Sequence, residues 1–267
     1  MKLTDAESDK KIESIRAKFS AIDAMPAAFL NSVPKCGTML VRNIFRMFWD
    51  AKKTILPFAD AGSIYPMSQQ ARPDQMFFCG HVDFSPFSGT SLRGMKKIIL
   101  VRHPEDYCLS YARFILSKEA QERSALFKVI GDHQLSFGEI VRLTITGFHY
   151  QNDMIPSVQA QFVSKALAWC DHETYLVRYE DLVFALRDME SEAAGKIFGG
   201  IFEFLQIPLP DDWRLRVTAG AAKGLSTTHP KNLTFTSSLE DRTTLLPDER
   251  RLLNVVAPGL CEALGYS

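Results

Sequence analysis

Residues 34–38, Pro-Lys-Cys-Gly-Thr, have the composition of an anion-binding turn. Backbone N–H groups of a glycine turn can converge on an anion, and a helix that follows adds the positive end of its dipole. Lys35 would supply a full charge and Thr38 a hydroxyl donor. The turn is not a Walker A loop, because the lysine precedes Gly37 and no glycine lies five residues before Lys35. It predicts a phosphate cradle, although a plain surface turn can have the same composition.

A second candidate anion site combines Arg102 with Ser110. Arg102 directly follows the apolar run KIILV, and Ser110 lies eight residues later in a predicted helix. A guanidinium fork and a hydroxyl together can bind a phosphate. The alternative is a salt-bridged surface arginine and a buried helix serine.

His81 is the candidate proton acceptor. It follows the apolar run MFFC, and an imidazole with an ordinary pKa of about 6.5 can act as a general base at neutral pH. A structural, hydrogen-bonded histidine is the alternative. The other five histidines lack the spacing of a metal site, so no metal is predicted.

Tyr179 completes the set of polar and aromatic residues that follow apolar runs. It comes after TYLVR, residues 174–178, and its ring could stack on a nucleobase. Packing and helix capping are the alternative roles for this segment. Taken together, the four segments predict a site for a doubly phosphorylated nucleotide with a base facing it.

The elements that must position these residues alternate between strands and helices. Short apolar runs at 27–33, 76–79, 97–101 and 174–178 are predicted strands, each followed by a turn and a helical pattern. This order predicts an α/β fold, a three-layer α/β/α domain with a central, mainly parallel sheet. Ligands of such sheets bind beyond the carboxyl ends of the strands, where all four candidate segments lie.

Composition limits the classes of function. The 267 residues are 46% hydrophobic and 23% charged with zero formal net charge, which excludes a disordered chain and gives no support to a nucleic-acid or membrane binder. Five scattered cysteines without a C-x-x-C pair predict reduced thiols in a cytoplasmic protein. A charged beginning and the lack of a long apolar stretch predict neither a secretory signal nor a membrane span.

These segments together resemble the sulfotransferase family that uses 3′-phosphoadenosine 5′-phosphosulfate (PAPS). VPKCGTMLV stands where the family has its Pro-Lys-Ser-Gly-Thr-like loop, and VRHPEDYCLSY supplies the arginine and the serine eight residues later. His81 lies about two dozen residues before that arginine, as the family's catalytic histidine does. LVRYEDL, FLQIPLP, the Pro-Asp-Glu-Arg helix start and the final Leu-Gly-Tyr also look like family segments, so the resemblance covers roughly residues 25 to 266.

The resemblance implies a P-loop NTPase-like fold, a PAPS cofactor with adenosine 3′,5′-bisphosphate (PAP) as its product, no metal, and a role for each candidate residue. Arg102 and Ser110 would bind the 3′-phosphate, Tyr179 would contact the adenine, and His81 would take the acceptor's proton. Lys35 would stabilise charge on the leaving phosphate oxygen. The 5′-phosphosulfate would be held by the loop residues Lys35, Cys36, Gly37, Thr38 and Met39.

The sequence departs from the family pattern in places. Cys36 replaces a serine, Leu40 replaces a tryptophan, and Cys79 replaces a second lysine of the animal cytosolic enzymes. The family segment that closes on the 3′-phosphate is not recognisable. Residues 223–242 occupy its place, with candidate replacements Lys223, Lys231 and Arg242.

We therefore expect a single sulfotransferase domain over residues 1–267, with an N-terminal helical extension at 1–24 and acceptor-side helices and loops at 118–165. The acceptor would be a small molecule with a hydroxyl or amine, and its walls would come from aromatic residues that could equally be core: Phe127, Phe137, Phe148, His149 and Tyr150. Two other functions stay open, a P-loop small-molecule kinase and a non-catalytic nucleotide-binding protein of the same fold.

Overall fold

The computed structural model describes residues 5–20, 22, 27–49, 77–225, 233–235 and 242–266. The chain divides into two compact units, which we call unit 1 (Met1–Val101 and Ser164–Thr227) and unit 2 (Arg102–Val163 and Thr228–Ser267). The expectation of one domain over 1–267 stays a prediction.

Six strands occur in the described residues: β1 (Ala28–Ser32), β2 (Phe77–Gly80), β3 (Lys96–Val101), β4 (Phe148–Tyr150), β5 (Asp153–Ile155) and β6 (Thr174–Arg178). The sheet of unit 1 has the order β2-β1-β3-β6, and all its pairings are parallel. The four strands predicted from apolar runs are confirmed to within one residue at each end. The predicted α/β class with a parallel sheet is therefore confirmed.

The same described residues contain thirteen α-helices. They also contain two 3₁₀ turns, Leu167–Trp169 and Lys223–Leu225. The helices are α1 (Asp5–Arg16), α2 (Thr38–Phe45), α3 (Pro86–Ser91), α4 (Pro104–Ile115), α5 (Lys118–Gln121), α6 (Ala125–Asp132), α7 (Phe137–Thr146), α8 (Val158–Lys165), α9 (Tyr179–Ala185), α10 (Glu192–Leu205), α11 (Trp213–Gly220), α12 (Pro247–Val256) and α13 (Leu260–Ala263). Helix α8 begins in unit 2 and ends in unit 1.

Strand β1 is buried along its whole length, as the covered strands of a parallel sheet must be. It pairs with β2 on one side and with β3 on the other, so the chain crosses over β1 between β2 and β3. Ligands of doubly wound sheets bind where the strand order reverses in this way. The turn after β1 is therefore the expected place for a ligand in unit 1.

Helix α2 carries the predicted phosphate turn at its start, and α11 supports it from behind. The two helices approach closely at Gly220, where an added Cβ would lie 2.5 Å from the Cα of Ile44. The apolar spacing of TMLVRNIFRMFW, residues 38–49, predicts a helix as far as Trp49, but α2 ends at Phe45. Met47, Phe48 and Trp49 continue as a buried turn, and the Trp49 ring stacks on Phe202 at a centroid distance of 6.1 Å.

Arg216 of α11 joins this helix to the end of the α2 segment. Its guanidinium forms a bidentate ion pair with Asp212, with Nε–Oδ1 at 2.6 Å and Nη2–Oδ2 at 2.8 Å. Nη1 donates to the carbonyls of Ser20 and Met47, each at 2.9 Å. The side chain is 1% exposed, so every N–H that it presents needs such a partner.

Unit 2 is mostly helical. Helix α7 packs against both α4 and α12, and α5 packs against α6. Residues 118–165 contain the predicted helices, but also an antiparallel hairpin, β4–β5, that was not predicted. Among the aromatic candidates in this stretch, Phe137 is buried, Phe127 and Phe148 are partly exposed, and His149 and Tyr150 are exposed.

The buried guanidinium of Arg216 gives the first testable prediction. We expect Arg216→Ala to lower the free energy of unfolding by about 3 kcal/mol, because the substitution leaves Asp212 and two carbonyls without their donors. Urea denaturation measures the loss. The control is Arg214→Ala on the same helix, whose ion pair with Glu190 is exposed and should contribute about 1 kcal/mol or less. Equal losses in the two variants would contradict this account of α11.

Candidate functional site

The turn after β1 has an unusual backbone. Lys35 has φ +67° and Gly37 has φ +97°, so both residues are in the left-handed region. For a residue with a side chain this conformation costs about 1–2 kcal/mol, and such strain concentrates at functional sites. Gly37 is the N-cap of α2, and with no side chain it leaves the first N–H groups of the helix to other partners. The geometry fits the predicted anion cradle.

Tyr179 lies against this turn. Its ring covers Gly37 so closely that an added Cβ would be 2.7 Å from the Cδ2 atom of the ring. Tyr179 begins α9, directly after the end of β6. The structure thus brings the predicted aromatic residue next to the predicted phosphate turn, and it explains why residue 37 must be glycine.

His81 follows β2 and bonds to the end of β1. Its Nδ1 lies 2.8 Å from the carbonyl oxygen of Ser32 and 3.0 Å from the Ser32 hydroxyl. A carbonyl only accepts hydrogen bonds, so this contact assigns the proton to Nδ1 and the lone pair to Nε2. The Ser32 hydroxyl also bonds to that of Thr38, the first residue of α2. A hydrogen-bonded path therefore runs from His81 to the phosphate turn.

The pKa of His81 is lowered from 6.5 to about 4. Loss of solvent on burial is the largest cause, because it disfavours the charged imidazolium. The hydrogen bond to Ser32 opposes this shift, while the positive charges of Lys165 and Lys35 add to it. At neutral pH His81 is therefore an uncharged imidazole that can accept a proton.

Lys165, one of the two cations that lower the pKa of His81, is the last residue of α8. Its Nζ lies 2.6 Å from Oδ1 of Asp83, and its side chain is only 10% exposed. Ser164 donates to the same carboxylate oxygen at 2.5 Å. Burial opposes ionisation of Asp83, but the hydrogen bonds from Lys165 and Ser164 prevail and hold its pKa below the usual range. The loop after His81 is thus attached to the end of α8.

Unit 2 contains the other predicted anion ligands. Arg102 lies in the turn before α4, and Ser110 lies in the second turn of that helix, where both are partly exposed. Arg113, one turn after Ser110, donates from Nη2 to the backbone carbonyl of Arg242. The backbone of Arg242 is therefore tied to the helix that carries Ser110.

The guanidinium of Arg242 is buried and only partly satisfied. Nη2 lies 3.0 Å from Oε1 of Glu249, and the group stacks 5.3 Å from the ring centroid of Phe137. Within the described part of the chain, its Nε and Nη1 are buried and have no hydrogen-bond partner. Buried N–H groups of this kind fit an anionic ligand. Of the other two candidates of this segment, Lys223 is exposed in the 3₁₀ turn Lys223–Leu225, and Lys231 lies outside the described residues.

Sequence reasoning missed four residues around His81: Asn31, Ser32, Asp83 and Lys165. The visible signal was the polar pair Asn31 and Ser32 within the apolar run AAFLNSV. Asp83 and Lys165 are 82 positions apart in the chain, and only the fold brings them together.

The contact between Gly37 and Tyr179 gives the second prediction. Gly37→Ala should lower the free energy of unfolding by about 1–2 kcal/mol or more, since alanine is strained at this positive φ and its Cβ meets the Tyr179 ring. The control is Gly195→Ala in α10, where an added Cβ meets nothing within 4 Å. That variant should gain up to about 1 kcal/mol from helix propensity. A loss at both positions would contradict the prediction.

Comparisons with known proteins address the fold. No family model matches the chain, and no curated protein matches it. The chain is similar to the solved structure of mouse sulfotransferase SULT7A1, determined in complex with PAP. The two share 15% sequence identity and a TM-score of 0.59, and the match covers 96% of this chain and 89% of the mouse chain.

The described residues were also searched for membrane-spanning helices and for metal-binding clusters. None of their helices is long and apolar enough to cross a membrane. They contain no group of three or more His, Cys, Asp or Glu side chains arranged to hold a metal ion. The chain has an α/β fold with a parallel sheet, and this fold is similar to that of the mouse sulfotransferase over nearly the whole length of the chain.

Proposed function

We propose that this protein is a sulfotransferase that moves the sulfuryl group of PAPS to a hydroxyl or amine of a small-molecule acceptor. The observation that carries the proposal is the neutral imidazole of His81, whose Nδ1–H bonds to the strand that leads into the Lys35 turn. The sulfotransferase fold and the PAP bound to the mouse protein support the same reading.

Lys35, Cys36, Gly37, Thr38 and Met39 would hold the 5′-phosphosulfate. The left-handed backbone at Lys35 and Gly37 and the start of α2 suit an anion. Cys36 is buried, and its thiol lies 3.8 Å from the carbonyl oxygen of Pro34, so residue 36 offers the anion no side-chain hydroxyl. Tyr179 would contact the adenine.

For the 3′-phosphate we assign Arg102 and Ser110, with Arg242 as a third ligand. The buried N–H groups of Arg242 that lack a partner among the described residues support this choice. A phosphate would satisfy them and would offset the desolvation of the guanidinium. Lys231 keeps its assignment from sequence alone.

PAPS, when bound, supplies an activated sulfuryl group on a phosphate that can leave. Nε2 of His81 would accept the proton of the acceptor hydroxyl or amine, since Nδ1 already carries a proton toward Ser32. The Lys35 ammonium and the N–H groups of the turn would stabilise negative charge that develops on the leaving oxygen. Thr38 extends this network through its hydroxyl contact with Ser32.

The proposal also includes a cellular location and a class of acceptor. We expect a cytoplasmic enzyme that acts on a small metabolite rather than on a nucleic acid or a membrane. A P-loop kinase is the competing enzyme class, and it would require magnesium-dependent binding of ATP. The experiments below separate the two.

The cofactor class gives the third prediction. In calorimetric titrations PAP should bind with a dissociation constant of about 1 μM, equivalent to about −8 kcal/mol, while ATP with magnesium binds much more weakly. Arg102→Ala should weaken PAP binding by tenfold or more, since a charged hydrogen bond contributes about 1.5–3 kcal/mol. Arg123→Ala, an exposed arginine of the same unit, serves as the control. Unchanged PAP affinity in Arg102→Ala would refute its assignment.

The fourth prediction concerns His81. His81→Ala should keep PAP binding and lose about 10²–10⁴ in turnover, the usual contribution of a general base. The rate would be followed as transfer of labelled sulfate from PAPS in an acceptor screen. Because His81 must be neutral to accept a proton, kcat/KM, which reports the pKa of the unliganded protein, should stay high as pH falls below 6.5 and decline only near pH 4. Normal turnover in His81→Ala, with exposed His133→Ala as control, would exclude it as the base.

A further inference from the structure

Asn31 places a fully buried amide inside strand β1. The neighbouring residues Phe29 and Leu30 are apolar and buried, and another apolar side chain could have filled this position. Burying an amide costs free energy unless its donors and its acceptor all find partners. The partners of Asn31 therefore indicate what the amide does.

The amide makes three hydrogen bonds, two to the backbone of Val82, which follows His81, and one to the backbone of Lys165 at the end of α8. Nδ2 donates to the carbonyl of Val82 and to the carbonyl of Lys165, both at 2.9 Å. Oδ1 accepts from the backbone N–H of Val82 at 2.8 Å. Val82 directly follows His81, so the amide fixes both backbone polar groups of the residue next to the base.

Two consecutive residues of β1 thus hold His81 in different ways. Asn31 holds the backbone that follows the histidine, and Ser32 holds the imidazole at Nδ1. The strand register pairs Asn31 with Gly80, the residue that precedes His81. The position of His81 is therefore bounded on both sides by contacts to one strand.

Helix α8 completes the arrangement. The carbonyl of Lys165 accepts from Asn31, while its ammonium pairs with Asp83 and contributes to the low pKa of His81. Trp169 donates from Nε1 to the carbonyl of Val82 at 3.0 Å. The charged groups that face His81 are therefore Lys35 after β1 and Lys165 at the end of α8, the latter paired with Asp83.

We propose that Asn31 is a positioning residue for His81. By fixing the Val82 backbone it keeps Nδ1 on the Ser32 carbonyl and leaves Nε2 as the proton acceptor. This inference rests on the proposed role of His81 as the base. Its central claim, the control of the imidazole by Asn31, can nevertheless be measured without any sulfotransferase activity.

The experiment compares the His81 imidazole in the parent, Asn31→Ala and Asn43→Ala proteins by NMR with ¹⁵N-labelled histidine. Asn43 is the matched control, a buried asparagine of unit 1 whose Nδ2 donates to the carbonyl of Leu225 at 3.1 Å. The parent and Asn43→Ala should show the Nδ1–H tautomer and a pKa near 4. Asn31→Ala should show mixed tautomers and a pKa that moves toward 6.5 as water enters.

A kinetic measurement accompanies the spectra. Hydrolysis of PAPS to PAP and sulfate uses water as the acceptor, so it can be measured without an organic acceptor. Its rate should fall about 10²-fold in Asn31→Ala, the typical cost of misplacing a reacting group by about 1 Å. The affinity for PAP should stay unchanged, because the hydrogen bonds of the Asn31 amide go to Val82 and Lys165 and not to residues 35–39 of the phosphate turn. A loss in rate without a loss in affinity is not expected of a merely structural residue.

Asn31→Asp provides a second variant if the alanine protein does not fold. Aspartate keeps the acceptor for the Val82 N–H but loses both donors, and its negative charge favours the imidazolium, so the pKa of His81 should rise. A parent-like tautomer and pKa in a folded Asn31 variant would overturn the positioning role. Failure of the parent to bind PAP would instead overturn the proposed function, and the NMR comparison would still decide the role of Asn31.

Discussion

The parallel pairing of β1 with β2 and β3 is the constraint on which the candidate site depends. It puts the carboxyl ends of three parallel strands at one edge of the sheet, and β1 is the strand whose residues contact the candidate site. Ser32 ends β1 and contacts the imidazole of His81, while Lys35 follows in the next turn. A shift of this strand by one residue would turn every side chain to the opposite face and dismantle these contacts.

Electrostatics and burial both favour the neutral form of His81, the proposed base. A histidine in water would be partly charged near neutral pH, and two neighbouring ammonium groups would repel that charge. Burial of His81 beside Lys35 and Lys165 settles the competition in favour of the neutral ring. The Asp83 carboxylate balances one of the cations, so the positive charge around the base is held in place by an ion pair rather than left to solvent.

Much of this arrangement could be predicted from the sequence because local signals coincide with it. Apolar runs located the four strands, and the rule that ligands lie beyond strand ends located Lys35, His81 and Tyr179. The positive φ of Lys35, the hairpin β4–β5 and the pKa of His81 had no local signal. The pKa of His81 depends on residues far apart in the chain, such as Lys165, whereas the hairpin is local and pairs Tyr150 with Asp153 across a two-residue turn.

The backbone of Lys35 sets stability against the proposed function of this residue. At φ +67° glycine is the residue that the conformation prefers, whereas only a charged side chain can offer an ammonium to an anion. Selection for thermal stability alone would remove the lysine. Consensus or computational stabilisation of this protein must therefore hold position 35 fixed, because the substitution that best relieves the backbone also removes the charge.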